Sequence, residues 1–570
     1  MKLKLLAVVA VVGALAWVVP TAMADTGGGG AGGLQAGVQS ASTDQGAGAA
    51  AISKQDATNA NTPTNIAGGN VAAGPSSANQ LASSDAEAKA SNDADTSQKQ
   101  NQDQTVGDGS CSAGCGGAGA AQIGAQLSDT NQNAGALAVS DQNAVNANVP
   151  VNVAGGNITS GPSSANQLAN SEAEAKASND ADTTQKQTQT QNVDGSSCHV
   201  GCGGAGAAQI GVQAANTEQD AKAAAISKQN AVNANVPVNV AGGNITSGPS
   251  SANQLANSEA EAKSSNDADT TQKQDQTQNV GGSSSCKIGC GGAGAAQIGI
   301  QKAETDQKAA SLSVSDQNAV NANVPVNIAG GDITAGSSSA DQTANSESEA
   351  KASNDADTTQ KQDQEQNVGG SSCKLGCGGP GAAQIGIQKA DTEQWAGALS
   401  VSKQNAVNGN APVNIAGGDI TAGDSSATQD ANSESEAKAS NDADTTQKQD
   451  QEQNVGSDCG CGKDNHKDSK DGKDGRDGKD GHDCGCDSSG SGGDGGAQIG
   501  VQKADTDQKA FAAALSLQNA VNSNTPHSVA GGNIYDGPSS ANQYPNSEAE
   551  GKASNDADTW QFAWQNQKVG

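Results

Sequence analysis

The chain of 570 residues is long enough for three or four domains, yet only 33% of it is hydrophobic, 1% is aromatic and 74 residues are glycine. Much of the apolar fraction is alanine, which buries little surface, so the Leu/Ile/Phe cores around which most enzymes are built are excluded. Acidic residues outnumber basic ones 62 to 31, and such a surplus of negative charge repels phosphate, which excludes a basic nucleic-acid-binding surface.

In chain order, Lys2 and Lys4 precede an apolar stretch over 5–19, and Pro20 with the small-residue exit Ala22, Met23 and Ala24 completes the pattern of a secretory signal over 1–24, cleaved before Asp25. The stretch is short for a membrane span, and no second apolar run of that length follows. The expected product is therefore exported and carries no membrane span. Its twelve cysteines are expected to be oxidised.

After a glycine-rich leader over 25–33, repetition dominates. Aligning Leu34 with Ala121, Ala208, Ala296, Ala383 and Ala497 gives steps of 87, 87, 88, 87 and 114 residues, the last being one repeat plus an insert of 27. The units are 34–120, 121–207, 208–295, 296–382, 383–456 and 497–570, with the insert at 457–496. Six copies this regular indicate an array whose units bury surface mainly against their neighbours.

Parity inside each unit sets the secondary structure. In the third unit Gln209, Gly211, Gln213, Ala215, Thr217, Gln219 and their successors to Asn239 hold no charge, whereas Ile210, Val212, Glu218, Asp220, Lys222 and Lys228 occupy the alternate positions. A division of period two belongs to strands. The second tract repeats it: Gln185, Gln187, Gln189 and Gln191 alternate with charged or polar residues such as Lys186, Thr188 and Thr190. Helix is the competing reading, but Glu/Ala alternation over 172–177 leaves no apolar stripe on a helix. An acidic disordered chain is the third.

The expected fold is all-β, a β-solenoid or layered β array of six units with a core of Gln, Asn, Ala, Ser and Thr. Its amides are expected to form ladders between stacked strands, with the charged parity facing water. A tract of some thirty residues is far longer than an ordinary strand, so each tract is expected to bend into several short ones.

Gln209, Gly211, Gln213 and Ala215, followed by Gln219 and Gln229, resemble the Gln/Gly/Asn/Ala grammar of curlin-type fibre subunits. The stretch Val236, Pro237, Val238, Asn239, Val240, Ala241, Gly242, Gly243 and Asn244 is similar to the core of chaplins, with Ala241 where a chaplin has cysteine. These resemblances imply an extracellular β-rich structural protein.

Cysteine pairs mark the junctions: Cys111 and Cys115, Cys198 and Cys202, Cys286 and Cys290, Cys373 and Cys377. Disulfides are expected, within each loop or between successive loops. A zinc site lacks a second nearby pair, and no histidine recurs with the thiols, His199 standing in one junction alone. In the insert, Cys459, Cys461, Cys484 and Cys486 bracket glycines at every third position. The insert reads as a solvated, disulfide-clamped loop, with a short collagen-like turn or a zinc site using His466 and His482 as alternatives.

The last unit places Tyr544, Trp560, Phe562 and Trp564 on the parity that is charged or polar in earlier copies. They read as an end cap or an assembly face. The function expected is that of a secreted structural protein of a cell surface, spore coat or extracellular matrix, self-assembling into β-rich fibres or joined to other surface or matrix components. An elongated binding module, adhesin or polysaccharide- or ice-binding solenoid, is the alternative. No cofactor is expected, and nothing resembles a nucleophile, base and orienter trio, so an enzyme is not.

Overall fold

The computed structural model describes residues 32–106, 118–195, 200–202, 205–283, 288–290, 293–369, 381–456 and 495–569. Within them the chain is all-β, and each repeat forms one layer of two long arms joined at a tip. The first arms are Gly32–Asn61, Gly119–Asn148, Gly206–Asn235, Gly294–Asn323, Gly381–Asn410 and Gly495–Asn524, in layers 1 to 6. The second arms are Ser76–Val106, Ser163–Gly195, Ser250–Ser283, Ser338–Gly369, Ser425–Gly456 and Ser539–Val569. Two short strands, such as Val151–Ala154 and Ile158–Ser160, turn the chain at the tip.

Equivalent strands stack in parallel and in register, so the first arms form one six-stranded sheet, the second arms another, and the tip strands two more. Gln209 lies between Gln122 and Gln297, and Ala260 between Ala173 and Ser348. The architecture is a layered β-solenoid in which every inner layer has its backbone groups paired above and below.

The arms do not bend into short strands. Each runs unbroken for 30 to 34 residues, about 100 Å at about 3.3 Å per residue. Long sheets ordinarily twist, and flat ones need stacking or side-chain ladders to hold them. Here both stacking and ladders are present, and side chains of the two arm sheets are matched across the space between them. A Cβ on Gly211 would lie 1.8 Å from Nε2 of Gln274, and one on Gly299 would lie 1.7 Å from Nε2 of Gln362. A row of glycines on one sheet thus seats a row of glutamines from the other. Elsewhere alanine meets alanine, as Ala134, Ala136 and Ala138 do with Ala173, Ala175 and Ala177.

Aliphatic rows close the interior at both ends of the arms. Val193, Val280, Val368 and Val455 pack with Ala205 and Ala293 near the junctions, while Ile158, Ile245, Ile333 and Ile420 fill the tip. At the tip turn, successive backbones come so close that a Cβ on Gly242 would lie 2.6 Å from the Gly155 carbonyl oxygen, which demands glycine.

Candidate interaction surfaces

Between the arm sheets runs a polar spine. Gln122 donates from Nε2 to Oε1 of Gln35 at 3.1 Å, and Gln209, Gln297, Gln384 and Gln498 continue the ladder at 2.8–3.0 Å. The same Nε2 of Gln209 donates to the Thr277 carbonyl of the opposite sheet at 3.0 Å, so each amide ties layer to layer and sheet to sheet. Asparagine ladders do likewise: Asn148 Nδ2 donates to Asn235 Oδ1 at 3.0 Å and to Ser163 Oγ at 2.9 Å. Serine hydroxyls form a third set, with Ser140 and Ser171 2.9 Å apart. These contacts supply satisfied polar groups where bulky apolar side chains are scarce.

Two rows are not fully satisfied: Gln100, Gln187, Gln362 and Gln449, in one row of glutamines, each keep a buried amide atom without a partner among the described residues, and a row of threonines is the other. The buried hydroxyls of Thr130, Thr217, Thr305 and Thr392 on one sheet and of Thr183 and Thr270 on the other have no hydrogen-bond partner among the described residues. A buried hydroxyl without a partner carries its full desolvation cost. Thr217→Val is therefore expected to raise stability, by about 1 kcal/mol, in a denaturant-unfolding series. A loss of stability would show that the hydroxyl is bonded.

In-register stacking turns the charged parity into rows of like residues on the outer face of the second-arm sheet. Glu174, Glu261 and Glu349 align, and so do Lys176, Lys263 and Lys351, each lysine pairing with the glutamate two residues earlier on its own strand. Further along, Asp180, Asp267, Asp355 and Asp442 form one row and Asp182, Asp269, Asp357 and Asp444 its neighbour. No lysine or arginine forms a salt bridge with these eight among the described residues. Asp267 is exposed to solvent, yet partial desolvation by the flanking rows, then Asp355 and Asp269, push its carboxyl up to about 6. Asp355 is raised by partial desolvation and then by Asp357 and Asp442. On the first-arm sheet the signs alternate instead: Lys54, Asp141, Lys228, Asp316 and Lys403 succeed one another through five layers, and Leu517 ends the row.

The expected terminal aromatics project from layer 6. Tyr544, Trp560, Phe562 and Trp564 are 61%, 72%, 58% and 47% exposed on the outer face of Ser539–Val569. Phe562 and Trp564 border a shallow groove of about 600 Å³ with Lys448, Asp450 and Glu452. A second groove of similar size crosses the outer face of the first-arm sheet, lined by Leu137, Leu312, Leu399, Trp395 and Phe511. Trp395 lies over Gly397, where a Cβ would meet its ring at 2.6 Å. Sequence reading missed this groove, because Trp395 and Phe511 are separated by the insert and only the stacking makes their strands neighbours. Their shared outward parity was the available signal.

Of the twelve cysteine candidates, Cys111, Cys115, Cys198, Cys286, Cys373, Cys377, Cys459, Cys461, Cys484 and Cys486 lie outside the described residues, as do the signal segment and most of the insert with His466 and His482. The backbones of Val200–Cys202 and Ile288–Cys290 pair in parallel with Cys202 opposite Cys290, which sets the second cysteines of two successive junctions side by side. Among the described residues no group of three or more His, Cys, Asp or Glu is placed to hold a metal ion, and no helix is long and apolar enough to cross a membrane. Comparison with protein-family models, with characterised proteins and with solved structures finds no match.

Proposed function

We propose that this chain is a secreted structural protein, a stiff β slab that serves in a cell surface, spore coat or extracellular matrix and associates with its own copies or with other components of that layer. The observation that carries this reading is the in-register stack of six layers bridged by side-chain ladders along nearly the whole of both arms. Its outer faces are built of repeated charge rows and its interior is filled by its own side chains. Such a construction gives stiffness and resistance to unfolding from many small, cooperative contacts.

The reading is tested by fractionating the native cells and sequencing the N-terminus of the recovered protein. A product beginning at Asp25 in the extracellular or envelope fraction is expected. A cytoplasmic chain retaining Met1 contradicts it.

The exposed row of Trp560, Phe562 and Trp564 favours a second reading, an elongated binding module that holds a ligand against its aromatic edge. A face matched to a periodic lattice is disfavoured, because Thr188 aligns with Asp275 and Asp363, and Thr190 with Thr277 and Glu365. Replacing all three aromatics by serine leaves association with the layer unchanged on the first reading and abolishes it on the second.

A further inference from the structure

We propose that a second copy of this chain stacks its layer 1 on layer 6 of the first, joining slabs head to tail with a single polarity. The inference rests on the structural reading above and names the joint.

Among the described residues both end layers have the arms and tip of the inner ones and carry strand edges with no partner, so a second copy continues the interface already repeated five times within the chain. The side-chain ladders choose the direction. The inner glutamines donate toward layer 1, as Gln122 does to Gln35 and Gln498 to Gln384, which leaves the Gln498 acceptor at the end of its ladder. The inner asparagines donate the other way, as Asn59 does to Asn146 and Asn408 to Asn522, which leaves the Asn59 acceptor at the opposite end. Layer 6 of one copy against layer 1 of another matches donor to acceptor in both kinds of ladder. Two copies joined through the same layer would oppose like to like, so a closed symmetric dimer is disfavoured and an open chain of copies follows.

The outward residues agree. In the same register Phe511 of layer 6 comes beside Gly48, and Tyr544 beside Leu81, which is 71% exposed in the single copy. Phe511 thus meets a glycine and Tyr544 a leucine, while Trp560, Phe562 and Trp564 come beside Ser97, Lys99 and Asn101.

Pro545 makes this joint weaker than the contacts inside the chain. On the second arms the inward residues donate their backbone N–H toward the next layer, as Ser338 does to the Asp424 carbonyl at 2.8 Å and Ser425 to that of Pro538 at 2.8 Å. Pro545 shares that parity, so it withholds one donor from the free edge of layer 6 and turns its ring toward the incoming strand. Ala563 also interrupts a ladder there, in line with Gln449.

Electron microscopy and light scattering of the full secreted chain test the proposal. Filaments with an axial repeat of about 29 Å, six layers at about 4.8 Å each, are expected. Pro545→Ala should strengthen the joint about tenfold, the effect of one regained hydrogen bond. Ser83→Pro together with Ser91→Pro removes two donors from the free edge of layer 1 and should leave single slabs with unchanged circular dichroism. If those two variants do not fold, the response to Pro545→Ala decides alone. Slabs that stay single at high concentration, closed dimers, or filaments indifferent to these substitutions overturn the joint while leaving the structural reading in place. A chain without β signal removes the structural reading itself.

Discussion

Gly299→Val is expected to destabilise the stack by about 3 kcal/mol or more, at the upper end of the usual cost of overpacking. Its Cβ alone would lie 1.7 Å from Nε2 of Gln362 and 3.0 Å from Oε1 of Gln274. The Gln362 amide can move aside only by giving up its 3.4 Å contact with Oε1 of Gln274, and a valine carries two further methyl groups into the same space. Gln362→Ala should recover part of the loss, since it empties the space the valine requires. A double-mutant cycle measured by denaturant unfolding would show a coupling of about 1 kcal/mol or more if the two rows interlock, and additivity if they do not. Layer 6 already contains the smaller pairing, with Ala563 in the row of glutamines.

Mild acid is expected to stabilise the protein, the reverse of ordinary acid denaturation. The Asp267 carboxyl is pushed up to about 6, first by partial desolvation and then by its aspartate neighbours, and Asp180, Asp269, Asp357 and Asp442 are raised with partial desolvation as the largest cause in each. A carboxyl whose folded pKa exceeds its unfolded value of about 3.9 holds its proton more tightly in the folded state. Its repulsive contribution is therefore present at pH 7 and is relieved as pH falls through about 6 toward 5. The opposite sign belongs to Glu436, which the hydrogen bond from Lys438 holds below the usual carboxylate range. That contribution is lost only as pH drops below about 4.3, so the optimum lies near pH 5. Because these aspartates stand on the exposed outer face, water and salt screen the effect, so a small rise in melting temperature from pH 7.5 to pH 5 at low ionic strength is expected, and Asp267→Asn should raise the pH 7.5 value and reduce the difference. A steady fall in melting temperature from pH 7.5 to 5 contradicts the account.

The two-residue alternation that runs from Gln209 to Asn239 identified the strands, the dry face and the ladder-forming amides, because parity is a local property of an extended backbone. The length of the strands was not legible in the same way. Ordinary strand lengths argue for bending, and the arms are unbroken where residues such as Gly211 and Gln274, 63 positions apart, meet only across the two sheets. Like-charge rows such as Asp180, Asp267 and Asp355 were visible as repeated residues, yet their energetic meaning depends on the layers stacking in parallel and in register. The terminal aromatics were found by counting. The Trp395 and Phe511 groove was not, since adjacency of their strands is a property of the stack.

The central claim is that successive repeats lie directly on one another. Ser178 and Ser265 are outward register partners in layers 2 and 3, and substituting both by cysteine for spin labelling places the two labels on adjacent strands. Stacked layers predict a separation of about 5 Å between the labelled backbones and a spin-exchange-narrowed spectrum, lost when either site is labelled alone. Two labels more than about 20 Å apart, as for repeats strung out as separate domains, would contradict it.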